Sequence, residues 1–452
     1  MNTIRLSPTI DKLTAINLIV GMTLWLSWSV LVVQLHAVTV HLSYAQLYSL
    51  LAAAGSGACV FQFVFLWLGE RSMHKRFIQV GSVLLLIPAI GLTWQLSVEE
   101  IAIEQLYVLA FLSGLGGAQF IALQPAAGAR IEKSSLGWVL AVNAGIGGVG
   151  IVLAQTLLPL LSGINWLGDW AASPWLTHQT SGDIVGVLPP STPLWLANTG
   201  WLLMVAVIAT SLYSLGQRRA RGAQAMPSPS GHPPSAEPVV TNTQPPMLGR
   251  ILKNRHTWLM TLFYVMAFGS FIGFAMTLPL SLETFSANYT PSALTYAWIG
   301  PLLGVLARPF GGWLADQYGG AKVLVVCALV MAMACLSAAY MTAAALQSRV
   351  PEEWFLPYLL VFLVIFIAAG TASSAVFKTA SVVLPLEQLP LALRWLTAVA
   401  TAGAIYIPAL WYINVSQAHG ANTLVAFALF YVLCAALVSW VYLRRRSEFY
   451  NP

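Results

Sequence analysis

Two cations, Arg308 and Lys378, lie inside long apolar runs. Arg308 sits in "GPLLGVLARPFGGWLAD" (300–316), eight residues before the next acid, Asp316. At about 1.5 Å per helical residue the two are roughly 12 Å apart along the axis. An arginine at the centre of a spanning helix costs about 2.5–3.5 kcal/mol, so by default it faces an interior cavity and marks a pathway. Its guanidinium stays charged, and its forked donors suit a planar oxyanion as a lysine cannot. Lys378, nine residues before Glu387, is about 13 Å from that acid. Its long stem allows snorkelling to the surface as readily as a cavity position. If both cations face one cavity, an anion visiting between them reconciles the like charges. Tyr264 and Phe268, four residues apart, share one helix face, as site wall or as ordinary packing.

Other chemistry is not readable. The four cysteines (Cys59, Cys327, Cys335, Cys434) fall in apolar runs without CxxC spacing, so no metal or other cofactor is expected. No nucleophile, base and orienting group recur together, which argues against an enzyme. "NAGIGGVG" (143–150) formally matches G-x-G-x-x-G at Gly145, Gly147 and Gly150, but no strand precedes it. Small residues at helical spacing instead let membrane helices approach closely, and "ATAGA" (400–404) is a second such patch.

The elements that position these residues follow from composition. Of 452 residues 58% are hydrophobic and 8% charged, against about 25% charged in soluble domains. The expected class is an all-α membrane protein in a lipid bilayer. Twelve segments are long and apolar enough to span it: 14–35, 46–69, 77–96, 105–128, 136–161, 195–216, 257–281, 291–315, 321–344, 355–385, 391–413 and 422–443. A polar, proline- and serine-rich stretch divides them six and six, giving expected domains 1–216 and 257–452 around a disordered linker, 217–256. Of 21 Lys and Arg, two lie in spans, one (Arg349) in an outer loop and the remaining 18 inside, if both ends are cytoplasmic. Acids such as Glu283 fall in the outer loops, and none falls in the middle of a span. The cations sit in short loops, so the net charge of +6 does not imply nucleic-acid binding.

The layout is that of transporters built from two pseudo-symmetric six-helix halves. "FQFVFLWLGE" (61–70) aligns with "ARPFGGWLAD" (307–316), setting Gln62 opposite Arg308. More weakly, "GGAQFIALQ" (116–124) aligns with "GTASSAVFK" (370–378), setting Gln124 opposite Lys378.

"GPLLGVLARPFGGWLADQYGGAKV" resembles the helix 8 signature and following loop of the major facilitator superfamily, most closely its nitrate/nitrite porter branch. "YVMAFGSFIGF" (264–274) is similar to the branch's helix 7 pattern, and "GWVLAVNAGIGGVGIVLAQTLLPLL" (137–161) to its glycine-rich helix 5 motif. The resemblance implies a planar anion held between arginines of helices 2 and 8 and sandwiched by rings of helices 4 and 7. Carried over, Arg308 is the helix 8 arginine, Tyr264 and Phe268 are helix 7 site residues, Phe120 is the helix 4 ring and Asn143 a helix 5 asparagine. Gly145, Gly147 and Gly150 would serve conformational change, as would Asp316 and Gly319 at the cytoplasmic turn. The departures are Gln62 or Phe61 in place of the helix 2 arginine, Gly148 for a second asparagine, and Lys378 for a glutamine.

The expectation is a monomeric transporter of a small monovalent anion, nitrate or nitrite foremost, in a bacterial inner membrane. Lys378 is expected to replace the lost charge. Without an intramembrane carboxylate or histidine, exchange is expected, with Lys378 the remaining candidate proton carrier. The alternatives are a porter for another small inorganic or organic anion, such as cyanate or a short carboxylate, and a transport-inactive sensor or partner.

Overall fold

A computed structural model describes residues 12–39, 42–68, 80–98, 101–123, 136–167, 173–176, 193–224, 248–285, 292–385, 387–416 and 420–452. Its principal helices are α1 (Lys12–Leu26), α2 (Trp28–Val38), α3 (Tyr44–Leu68), α4 (Leu86–Ser97), α5 (Ile103–Ala118), α6 (Leu136–Ser162), α7 (Ala197–Gln224), α8 (Arg255–Tyr264), α9 (Ser270–Glu283), α10 (Ile299–Tyr318), α11 (Gly320–Gln347), α12 (Phe355–Val383), α13 (Leu389–Ala400), α14 (Gly403–Ser416) and α15 (Gly420–Tyr442). Ten described helical stretches are long and apolar enough to cross a membrane. Predicted segments 105–128 and 291–315 appear as α5 followed by a 3-10 turn (Gln119–Leu123) and as α10. A two-residue strand pair, β1 (Trp175–Leu176) and β2 (Pro193–Leu194), joins antiparallel in the connection after α6.

Helices before the linker pack largely on one another, as in α3–α5 and α1–α6, and those after it do the same in α11–α15 and α10–α12. The most extensive contacts between the two groups are α6 on α10 and α12, α3 on α14, and α2 on α9. Every residue of α2 and of α9 is buried. With no face exposed to solvent or lipid, these two lie at the centre of the bundle.

Small residues make the crossings possible. A Cβ at Gly55 of α3 would sit 2.0 Å from the Ala404 carbonyl oxygen of α14, and one at Gly148 of α6 would sit 2.2 Å from Val305 Cγ2 of α10. Only the missing side chain lets α3 meet the α14 backbone, and α6 meet the Val305 side chain, this closely. The Gly148 departure from the family motif therefore has a packing consequence, because an asparagine would collide with α10.

The structure corrects several boundaries. α7 runs to Gln224, eight residues past the predicted end of its span, so the linker does not start at 217. Within the linker, Leu248–Lys253 is helical, while 225–247 lie outside the described residues. Glu283, expected in an outer loop, is the last residue of α9 and only 7% exposed. Gln124 lies outside the described residues.

Candidate functional site

Arg308 lies mid-way along α10 and is 1% exposed. The following Pro309 lacks the N–H that would bond the Val305 carbonyl four residues back. The Arg308 carbonyl accepts a 2.8 Å hydrogen bond from Ser374 Oγ, which registers α12 against α10 at this level. Nε and Nη1 of the guanidinium have no hydrogen-bond partner among the described residues. The Tyr264 hydroxyl stands near enough to interact electrostatically, yet makes no well-formed hydrogen bond.

Aromatic faces surround the cation instead. Arg308 Cζ lies 4.8 Å from the Phe271 ring centroid and 5.4 Å from that of Phe268. A desolvated cation–π contact contributes about 2 kcal/mol. That does not replace the forked hydrogen bonds a buried guanidinium demands. Phe268 belongs to a π-helical turn, Val265–Gly269, between α8 and α9. Such turns interrupt a helix frequently at functional sites. Here the rings of Tyr264 and Phe268 are nearly parallel, 5.2 Å apart.

Phe120, from the 3-10 turn after α5, stacks on the other side of Phe268 with centroids 5.1 Å apart and an interplanar angle of 6°. Phe377 of α12 closes the far end of the row, 5.0 Å from Tyr264. Gly147 sets the place of Phe120, since a Cβ there would stand 2.9 Å from the ring. Gly150 admits α1, with the Ile19 carbonyl 2.4 Å from its would-be Cβ, whereas Gly145 has only Val305 O at 3.8 Å.

The remaining expected residues go elsewhere. Lys378 Nζ forms an ion pair of 2.8 Å with Asp316 Oδ1, joining α12 to α10. Phe377 faces Tyr264, and adjacent helical residues point about 100° apart, so Lys378 cannot share that direction. α12 also ends at Val383 rather than near Glu387, which leaves Lys378 about 8 Å from the helix end. The expectation that Lys378 restores a second charge beside Arg308 is corrected accordingly.

Gln62 is 1% exposed and bonded across helices through both atoms of its amide. Its Nε2 donates to the Gly117 carbonyl at 3.1 Å, and its Oε1 accepts from Thr401 Oγ1 at 3.1 Å. Gly319 ends α10 with φ +89°, in the left-handed region that favours glycine. Asn143 lies in α6, and its side chain falls outside the described residues. Sequence reasoning missed Phe271, Phe377 and Thr401. The first completes an i, i+4, i+7 face with Tyr264 and Phe268 and was legible as spacing. The other two are marked only by contacts between distant segments.

A buried arginine among rings, within a bundle of helices long and apolar enough to span, defines a polytopic membrane protein with an interior cation site. The chain belongs to the Major Facilitator Superfamily, whose family profile matches residues 13–408. It is 28% identical to the probable nitrate/nitrite antiporter NarK2 of Thermus thermophilus, over 96% of this chain and 92% of that one. It is 24% identical to the nitrate/nitrite transporter NarU of Salmonella typhimurium, over 95% of this chain and 90% of the relative. The partially occluded inward-open structure of the xylose transporter XylE from E. coli superposes with a TM-score of 0.63 at 13% identity, covering 96% of both chains. That likeness is one of fold.

Proposed function

We propose that the chain carries nitrate and nitrite across the membrane by alternating access, as an exchanger. The observation that carries the reading is Arg308, a buried guanidinium whose Nε and Nη1 have no partner among the described residues, flanked by stacked rings. Relatives similar over nearly the whole chain are named for nitrate and nitrite transport.

A planar monovalent anion supplies two oxygens to the guanidinium fork and a flat face to the rings. Phe120 and Phe268 touch directly, so an anion lying between them requires them to part by about 3.5–4 Å, one van der Waals layer. With the anion bound, the site is close to neutral and the two helix groups, before and after the linker, can close over it. Without it, closure buries an unmatched charge at a cost of several kcal/mol. That difference favours exchange over net flux. The chain is oriented with both ends in the cytoplasm of a bacterial inner membrane, on the 18-to-one distribution of loop cations. This orientation makes the Asp316 end inner and the Glu283 end outer.

The test is counterflow in proteoliposomes. Labelled nitrate enters vesicles preloaded with nitrite and does not enter vesicles without a counter-anion. Equal uptake without counter-anion overturns exchange, and no uptake by folded protein in either case overturns the nitrate reading. A second expectation concerns the ring wall. Gly147→Ala pushes on Phe120 and raises the apparent KM for nitrate several-fold with little change in Tm, as measured by counterflow and thermal denaturation.

A further inference from the structure

The described part of the structure holds one buried carboxylate at the interface between the two helix groups that the anion site does not use. Glu283 closes α9, and its Oε1 has no hydrogen-bond partner among the described residues. α9 packs on α2 and α3 from before the linker, and on the short helix Ala293–Tyr296, α10, α12 and α14 from after it, Tyr296 of the short helix being 39% exposed.

The titratable groups these elements present at this end are tyrosines and one histidine. From α3, Tyr44 lies within electrostatic reach of the carboxyl, and the buried Tyr48 hydroxyl also lacks a partner among the described residues. From α2 comes His36, whose ring sits 4.4 Å from that of Tyr44. From α12 comes Tyr358, 4.3 Å from the ring of Phe285 just beyond Glu283. Tyr406 of α14 lies further along the bundle, beside Gly269, and Tyr412 is 43% exposed. The charged residues of α10 and α12 are Arg308, Asp316 and Lys378, at or beyond mid-bundle. Glu352 and Glu353 lie in the turn before α12, which packs on α11 and α12 rather than on α9. No Lys or Arg meets Glu283 from any of these elements.

The geometry points to Glu283 as the proton-binding residue of the outer gate: its protonation permits the closure of α9 on α2 and α3, and its ionisation holds that closure open. This rests on the transport reading and its orientation. An ionised carboxylate buried without a cation costs several kcal/mol, so the closed packing is reached with the proton on. Opening brings the carboxyl to water, where the ordinary carboxylate range returns the ionised form. The closed state therefore binds one more proton than the open state, and acid outside favours closure. An outside anion that needs the open gate must then compete with an outside proton.

The experiment is nitrate counterflow with internal pH clamped and external pH varied from 8 to 5.5. The apparent KM for external nitrate is expected to rise several-fold with acid, at a limiting slope of at most tenfold per pH unit for one proton. Glu283→Gln imitates the protonated form, so its KM is high and flat across the range. Glu283→Asp keeps the dependence, and so does His36→Asn. A flat wild-type profile, a Glu283→Gln profile like the parent's, or the same dependence on internal pH overturns the proposal. So does a dependence lost in His36→Asn and kept in Glu283→Gln. Infrared spectra of the purified protein supply a readout without transport. A protonated-carboxyl band that persists at neutral pH in the parent and is missing in Glu283→Gln supports the proposal. Its absence from the parent counts against it even if counterflow is robust. A band without any nitrate counterflow instead faults the transport reading.

Discussion

Arg308→Ala abolishes nitrate counterflow while leaving thermal stability equal to or above that of the parent. The two halves of this result have one cause. The guanidinium is a buried cation whose Nε and Nη1 have no partner among the described residues, so it destabilises the closed bundle unless an anion meets it. Losing one partner of a buried, charge-assisted pair costs about 2–5 kcal/mol of binding, roughly 30- to several-thousand-fold. Its removal at the same time relieves the fold of an unmatched charge, as functional groups commonly burden stability. Arg308→Lys separates charge from geometry. The ammonium retains +1 but loses the planar fork and its weak hydration, so nitrate affinity falls by at least about tenfold, one unit of 1.4 kcal/mol. Equal affinity of the lysine variant and the parent in equilibrium nitrate binding would show that charge alone suffices. A cooperative fall in Tm for Arg308→Ala would show that the arginine holds the fold rather than the anion.

The second large effect lies away from the anion. Gly55→Val blocks transport because α3 and α14 can no longer meet as they do here. Even the first added carbon stands 2.0 Å from the Ala404 carbonyl oxygen, and backbone cannot move aside as a flexible side-chain tip can. Overpacking of this kind costs about 1–3 kcal/mol. Within a single rigid core that would read as lost stability. At a contact between two helix groups that must part and rejoin, it reads as an excluded conformation. Expected is a folded, monodisperse protein with nitrate binding retained within a few-fold and counterflow reduced by tenfold or more. Counterflow at the parental rate would mean that α3 and α14 do not need this approach during the cycle.

Both predictions draw on features unequally visible in the sequence. The class of protein was plain from long apolar runs and sparse charge, because a bilayer imposes its thickness on every spanning segment locally. Arg308 was legible as an intruder for the same reason: one charge in an apolar run is visible without any neighbour. Tyr264 and Phe268 were legible as a face by their spacing, though the π-helical turn that carries Phe268 was not. Lys378 looked like a twin of Arg308. Its hydropathic context is the same, and the difference is rotational phase, which turns its amine to Asp316.

The chain's local pattern of apolar runs, glycines and isolated charge thus determined by itself the membrane class, the places of most helices, and the presence of one cation to be answered. Tertiary structure decided which groups answer one another. Gln62 and Thr401 are 339 residues apart yet share a hydrogen bond. Phe120 meets Phe268 only because Gly147 leaves it room. Glu283 reads as a loop acid until α9 is seen to extend through it and bury it. Hydropathy records how each segment meets its solvent, segment by segment. The depth and rotation of a helix, and hence the partner each side chain finds, are set by packing among several helices at once, and no single segment encodes that.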